Sequence, residues 1–99
     1  MVKYKVVRLC KEDAMSVVPT EPLRYDLDRA AKMLEGMGYE VAPQGLMLIA
    51  RGRGHEVTLY ASGRMLLYKV GTKEQAGELA ATVYETVEGS LEPSTVRRS

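Results

Sequence analysis

Few side chains in this sequence belong to the types that catalyse reactions. The chain contains one histidine, His55, and one cysteine, Cys10. A histidine can act as a general base near neutral pH and a cysteine thiolate as a nucleophile, but these two lie far apart in the sequence with no motif around either. A zinc site built from cysteine and histidine needs about four ligands. We therefore predict no enzyme activity, no metal and no cofactor, and we interpret both residues as structural.

The segment Arg51-Gly-Arg-Gly-His-Glu56 is a candidate anion site. Arginine side chains hold phosphate, and the backbone N–H groups of a glycine-rich turn can form a nest that favours negative charge. The segment lacks the helix start and the spacing of a phosphate-binding loop. Arg51 and Arg53 are therefore candidate phosphate contacts, and a plain turn with solvated charges is the alternative.

The clearest pattern in the chain is a β-hairpin over residues 57–70. Two alternating runs are joined by a tight Ser-Gly turn, and a capped helix follows. One set of alternating positions is predicted to face the helices: Val57, Leu59, Met65 and Leu67. The opposite set is also largely apolar or aromatic, where a solvated sheet would carry mostly polar residues. It forms the predicted binding face: Thr58, Tyr60, Leu66, Tyr68 and Val70.

Further strands complete a sheet around this hairpin. Alternation and turn residues predict strands at residues 2–9, 39–42 and 46–51, with a connection over residues 10–20. The predicted fold class is α+β, with the element order β-α-β-β-β-β-α. Both helices need the same face of one antiparallel sheet.

Both helices have recognisable ends. The apolar face of the first predicted helix consists of Leu27, Ala30, Ala31, Leu34 and Met37. Thr20 with Pro22, or Asp26 alone, starts this helix, and glycines at 36 and 38 end it. For the second helix, Thr72 can cap the backbone N–H of Gln75, and Gln75 can reach back to complete a capping box.

Size and charge describe one ordinary globular domain. The chain has 99 residues and a formal net charge of +1, which predicts no strong electrostatic attraction to nucleic acid or membrane. We assign residues 1–88 to the domain and residues 89–99 to a mobile tail. The charged first segment is not a signal peptide, and no apolar run reaches a membrane span. The single cysteine fits a reducing compartment, so we expect a cytoplasmic protein.

Two segments resemble one half of the TATA-box-binding protein family, whose members are built from two such repeats. Residues 25–40, with Asp26-Leu27 and Tyr39, resemble that family's first helix and its exit. Residues 58–65, together with Glu74-Gln75 and Leu79-Ala-Ala81, resemble its hairpin turn and second helix. The resemblance covers roughly residues 20–88. It implies a curved antiparallel sheet with two helices on one face.

In that family the bare sheet face lies in the DNA minor groove, where phenylalanine wedges kink the duplex. When the positions of that family are carried over to this sequence, the resemblance places Tyr60 at a wedge position. It places Leu66 and Tyr68 at groove-facing positions. The present chain has no phenylalanine. The resemblance thus implies a non-enzymatic DNA-binding domain that uses its helix-free sheet face, as a homodimer in which two chains either reproduce the two-repeat arrangement or pack face to face and hide both sheets.

Other interpretations of the bare face stay open at this point. A contiguous apolar strip is typical of interfaces, so the chain is alternatively a self-associating protein–protein interaction module with no nucleic-acid role. A small ligand or a tolerated apolar surface would also fit. The same type of fold serves as an accessory domain in some nucleic-acid-processing enzymes, which is an analogy of fold alone.

Overall fold

A computed structural model describes residues 3–8, 14–21, 23–52 and 54–90. Within these ranges the chain forms six β-strands, two α-helices and one 3₁₀ turn. In chain order they are β1 Tyr4–Arg8, β2 Ala14–Pro19, α1 Leu27–Gly36, β3 Glu40–Pro43, β4 Met47–Gly52, β5 His55–Tyr60, β6 Met65–Tyr68, α2 Lys73–Thr86 and the 3₁₀ turn Glu88–Ser90.

All six strands belong to one curved antiparallel sheet, in the order β1-β2-β6-β5-β4-β3. Both helices pack on the same face of this sheet. There, α1 lies against β3 and β4, while α2 lies against β1 and β2. The predicted α+β class, with one antiparallel sheet and two helices on one side, is confirmed.

One strand, β2, is absent from the sequence prediction. The sequence pattern indicates a connection over residues 10–20, but Ala14–Pro19 lies between β1 and β6. Met15 and Val17 pack under the helices, while Ala14 and Ser16, which point to the other face, are also buried. A strand buried on both faces does not alternate between apolar and polar residues. The element order is therefore β-β-α-β-β-β-β-α.

Asp26 fixes the start of α1. Its carboxylate Oδ1 accepts hydrogen bonds from the backbone N–H groups of Asp28 at 3.1 Å and Arg29 at 3.4 Å, which the first turn of a helix leaves without partners. The helix ends at Gly36, and Gly38 follows with φ 97°, a left-handed conformation that glycine adopts without strain. Of the two predicted starts, Asp26 is the one observed.

The start of α2 agrees with its predicted cap. Thr72 Oγ1 accepts a 3.1 Å hydrogen bond from the backbone N–H of Gln75. Gln75 Oε1 in turn accepts a 3.2 Å hydrogen bond from the backbone N–H of Gly71. The predicted reciprocal contact is therefore present, one residue upstream of its expected position. It orients the chain between β6 and α2.

The hydrophobic core lies between the sheet and the helices. The four predicted helix-facing residues of the hairpin are fully buried: Val57, Leu59, Met65 and Leu67. Tyrosines close the core near α2, where the ring centroid of Tyr84 lies 5.2 Å from that of Tyr4 and 6.4 Å from that of Tyr25. This arrangement buries one face of the sheet under the helices.

The packed part of the chain extends further than predicted. Ser90 is 2% exposed, and its carbonyl oxygen accepts a 2.8 Å hydrogen bond from the backbone N–H of Asp26. The domain therefore includes Gly89 and Ser90, which the sequence prediction places in the tail, because this contact joins the end of the 3₁₀ turn to the start of α1. Residues 91–99 lie outside the described residues.

In the ranges that the structure describes, no helix is both long enough and apolar enough to cross a membrane.

Candidate functional site: the open sheet face

Strand register shows which side chains share the face opposite the helices. Residues directly opposite each other in an antiparallel pair lie on the same face, so the pairing partners of Thr58 and Tyr60 extend the predicted strip across the sheet. We call this surface the open face. It consists of Lys5, Val7, Ala14, Ser16, Val18, Glu40, Ala42, Met47, Ile49, Arg51, Glu56, Thr58, Tyr60, Leu66 and Tyr68.

A single row without charges crosses the middle of the open face. Each member is paired with the next on the neighbouring strand, from β1 at one edge to β3 at the other. We call it the central row; in spatial order it is Val7, Ser16, Leu66, Thr58, Ile49 and Ala42. Within the part of the chain that the structure describes, neither helix packs over the central row. The central row therefore lies on the side of the sheet opposite the helices.

Exposure divides the predicted face residues into two groups. Tyr60, Leu66 and Tyr68 are partly exposed, whereas Thr58 is only 6% exposed between its larger neighbours. The sequence pattern missed two accessible apolar members, because only register assigns them to this face: Val7 is 47% exposed and Val18 is 39% exposed. The accessible strip is therefore wider than the hairpin.

Val70 does not belong to the open face, so its predicted placement is wrong. It is 6% exposed and lies in the hydrophobic core. The alternation breaks at the preceding residue, since Lys69 has φ 67°. A left-handed residue turns the chain out of the strand geometry, and Val70 then points to the helix side. Strand β6 accordingly ends at Tyr68.

The charges on the open face balance. Lys5 and Arg51 are opposed by Glu40 and Glu56 on the same face. Arg51 Nε donates a 3.0 Å hydrogen bond to Glu56 Oε1 across strands β4 and β5. This candidate phosphate contact is therefore engaged with a carboxylate, and the other candidate, Arg53, lies outside the described residues.

His55 has a hydrogen-bond partner close to it in the sheet. The Tyr39 hydroxyl and His55 Nε2 are 2.7 Å apart in a hydrogen bond, and the two rings have centroids 5.5 Å apart. Cys10 lies outside the described residues. Among the residues that the structure describes, no group of histidine, cysteine and carboxylate side chains could hold a metal ion.

A shallow depression of about 330 Å³ lies at the start of α1. Asp26 and Asp28 contribute to its wall together with residues of two turns, Gly45 and Ala61. The Asp26 carboxylate is already engaged as the helix cap. One of its two carboxylates is therefore committed to capping the helix.

No protein-family model, no curated protein and no solved structure matches the chain. The resemblance to the TATA-box-binding protein family accordingly stays a prediction. What the open face can bind follows from its own side chains.

Proposed function

We propose that this chain is a binding module without catalytic activity, and that its open face takes up a protein surface. The observation that carries the proposal is the uncharged central row, which spans the full width of the sheet. Tyr60, Met47 and Tyr68 border it with further apolar surface. Interface centres are depleted in charge and enriched in tyrosine and methionine.

Nucleic-acid binding, the other function expected from the sequence, has weaker support from this face. Affinity for nucleic acid comes largely from lysines and arginines that neutralise phosphates. Arg51 is paired with Glu56, and the carboxylate of Glu40 on the same face would repel phosphate. The central row carries no lysine or arginine that could neutralise a phosphate of the DNA backbone. Protein is therefore the favoured class of partner.

A DNA titration tests the choice between these partners. Fluorescently labelled duplex and single-stranded DNA are titrated with the full chain at a low and a high salt concentration. We expect no binding at micromolar protein even in low salt, where the phosphate contribution is largest. Binding that the substitution Leu66→Asp removes, but Leu46→Asp leaves intact, would overturn the proposal.

Leu46→Asp is a suitable control because Leu46 is 83% exposed and lies in the turn between β3 and β4. Both substitutions exchange a leucine for an aspartate, so they change the net charge of the chain equally. Any difference between them reports on the open face. Circular dichroism confirms that each variant is folded.

A further inference from the structure

We infer that the protein surface taken up by the open face is a second copy of this chain, packed face to face about a two-fold axis. The axis runs parallel to the strands and passes between β5 and β6, the middle of the six-strand order. It places β1 of one copy over β3 of its partner. This inference rests on the proposed function and names the partner.

Side-chain size along the central row is complementary under this axis. The row alternates between larger and smaller residues at every step: Val7, Ser16, Leu66, Thr58, Ile49 and Ala42. The axis reverses the row of the partner. Each larger residue then lies over a smaller one, and interdigitated packing of this kind is what two stacked sheets require.

The pairs nearest the axis define the contact. Leu66 lies over the partner's Thr58, and Ile49 lies over the partner's Ser16. At the edges, Val7 lies over the partner's Ala42. An axis perpendicular to the strands would instead stack Leu66 on the partner's Leu66 and leave the small residues facing one another, so size selects the parallel axis.

The axis brings no like charges together. Lys5 lies on β1 at one edge of the sheet and Glu40 lies on β3 at the other, on opposite sides of the central row. Because the axis preserves position along the strands, Lys5 and the partner's Glu40 stay at opposite ends of the strands. The Arg51–Glu56 ion pair lies at one end of the strands, where it joins the polar rim typical of interfaces.

The size of the open face is sufficient for a dimer. The sheet has six strands; at about 4.8 Å per strand and about 3.4 Å per residue, five-residue strands cover roughly 29 by 17 Å. Two copies would bury roughly 1,000 Å² in total, about the minimum for a specific interface. A reversible dimer of moderate affinity is therefore expected.

Sedimentation equilibrium of the full chain, from low to high micromolar concentration, tests the dimer. We expect a concentration-dependent mass that approaches that of two chains. Leu66→Asp places a charge at the centre of the contact and should raise the dissociation constant by about 100-fold or more. Leu46→Asp should leave the dissociation constant unchanged.

A size exchange tests the proposed axis. Thr58→Leu places leucine over the partner's Leu66, and Leu66→Thr leaves the partner's Thr58 uncovered. Each should weaken the dimer about tenfold. The double variant restores complementarity and should return the dissociation constant to within about threefold of the wild type. The two positions are opposite each other within one chain, so the exchange preserves the composition of the face.

Three results would overturn the inference. A monomeric wild type at high micromolar concentration rules out the second copy, and equal masses for Leu66→Asp and wild type rule out this face as the contact. Failure of the double variant to recover rules out the axis. None of these results decides the proposed function, which depends on the DNA titration.

Discussion

The hydroxyl of Tyr84 donates a 2.6 Å hydrogen bond to the carbonyl oxygen of Gly63. This contact joins α2 to the turn between β5 and β6 from the helix side of the sheet. The ring of Tyr25 stacks on Tyr84, but its own hydroxyl is buried and has no hydrogen-bond partner among the described residues. The two tyrosines thus differ in whether the hydroxyl is hydrogen-bonded, and the bonded one connects α2 to the hairpin turn.

The two tyrosines provide a matched pair of substitutions. Tyr84→Phe removes the donor and leaves the buried carbonyl of Gly63 unpaired, so we expect it to lower the free energy of unfolding by about 1–3 kcal/mol. Tyr25→Phe removes a hydroxyl that has no partner and should leave stability unchanged or raise it. Urea unfolding measures both. Equal losses in the two variants would contradict this account of the bond.

Alkaline pH should destabilise the protein through the same cluster. Burial, followed by the nearby negative charge of Glu88, raises the pKa of Tyr25 from 10.0 to about 12, and burial also raises the pKa of Tyr84. The unfolded chain therefore loses these protons first. The stability they contribute is complete below pH 10 and declines as the pH rises towards 12.

The expected slope is about 1.4 kcal/mol per pH unit for each tyrosine that stays protonated only in the folded state. Urea unfolding at a series of alkaline pH values measures it. In Tyr25→Phe the slope should be smaller by the contribution of one tyrosine, about 1.4 kcal/mol per pH unit. An unchanged slope in that variant would show that Tyr25 titrates normally.

The position of Val70 leads to a third prediction. Because Val70 is 6% exposed in the core, Val70→Ala should lower the free energy of unfolding by roughly 2 kcal/mol. The same substitution at Val7, which is 47% exposed on the open face, should change the stability of the monomer by less than about 0.5 kcal/mol. Both are compared at one low protein concentration. A larger loss of stability in Val7→Ala than in Val70→Ala would show that the core lies on the face of the sheet that carries Val7.

Local signals in the sequence predicted much of the fold. The caps at Asp26 and Thr72 marked both helix starts, since a cap depends on residues within one turn. The apolar set of the hairpin identified the core side for the same reason, because alternation is a property of adjacent residues. These parts of the structure needed no knowledge of distant contacts.

The parts that sequence reasoning missed depend on pairing between distant strands. The first four residues of strand β2 are buried whichever face they point to, so this part of Ala14–Pro19 shows no alternation between buried and exposed positions. Without β2, neither Val18 nor Ser16 could be assigned to the face. The contributions of Ile49 and Met47 required the register of β4 against β5. At Val70, the unusual conformation of Lys69 overrode the period of the strand.

Two glycines should respond oppositely to alanine. Gly63 has φ 91°, and a Cβ there would lie 3.1 Å from Cε2 of Tyr25 and 3.2 Å from Pro19 Cγ. Left-handed strain and this crowding should make Gly63→Ala lower the free energy of unfolding by about 1–3 kcal/mol. At Gly77, within α2, an added Cβ would meet no side chain within 4 Å, so Gly77→Ala should stabilise the helix by about 0.5–1 kcal/mol.

Thermal and urea unfolding of these two variants check the prediction. Because Gly63 forms the turn beneath which Tyr84 and Tyr25 pack, its substitution also tests whether the tyrosines constrain the hairpin. Combining Gly63→Ala with Tyr84→Phe should cost less than the sum of the single losses, since either change releases the same turn. Strictly additive losses would show that the turn holds its conformation independently of α2.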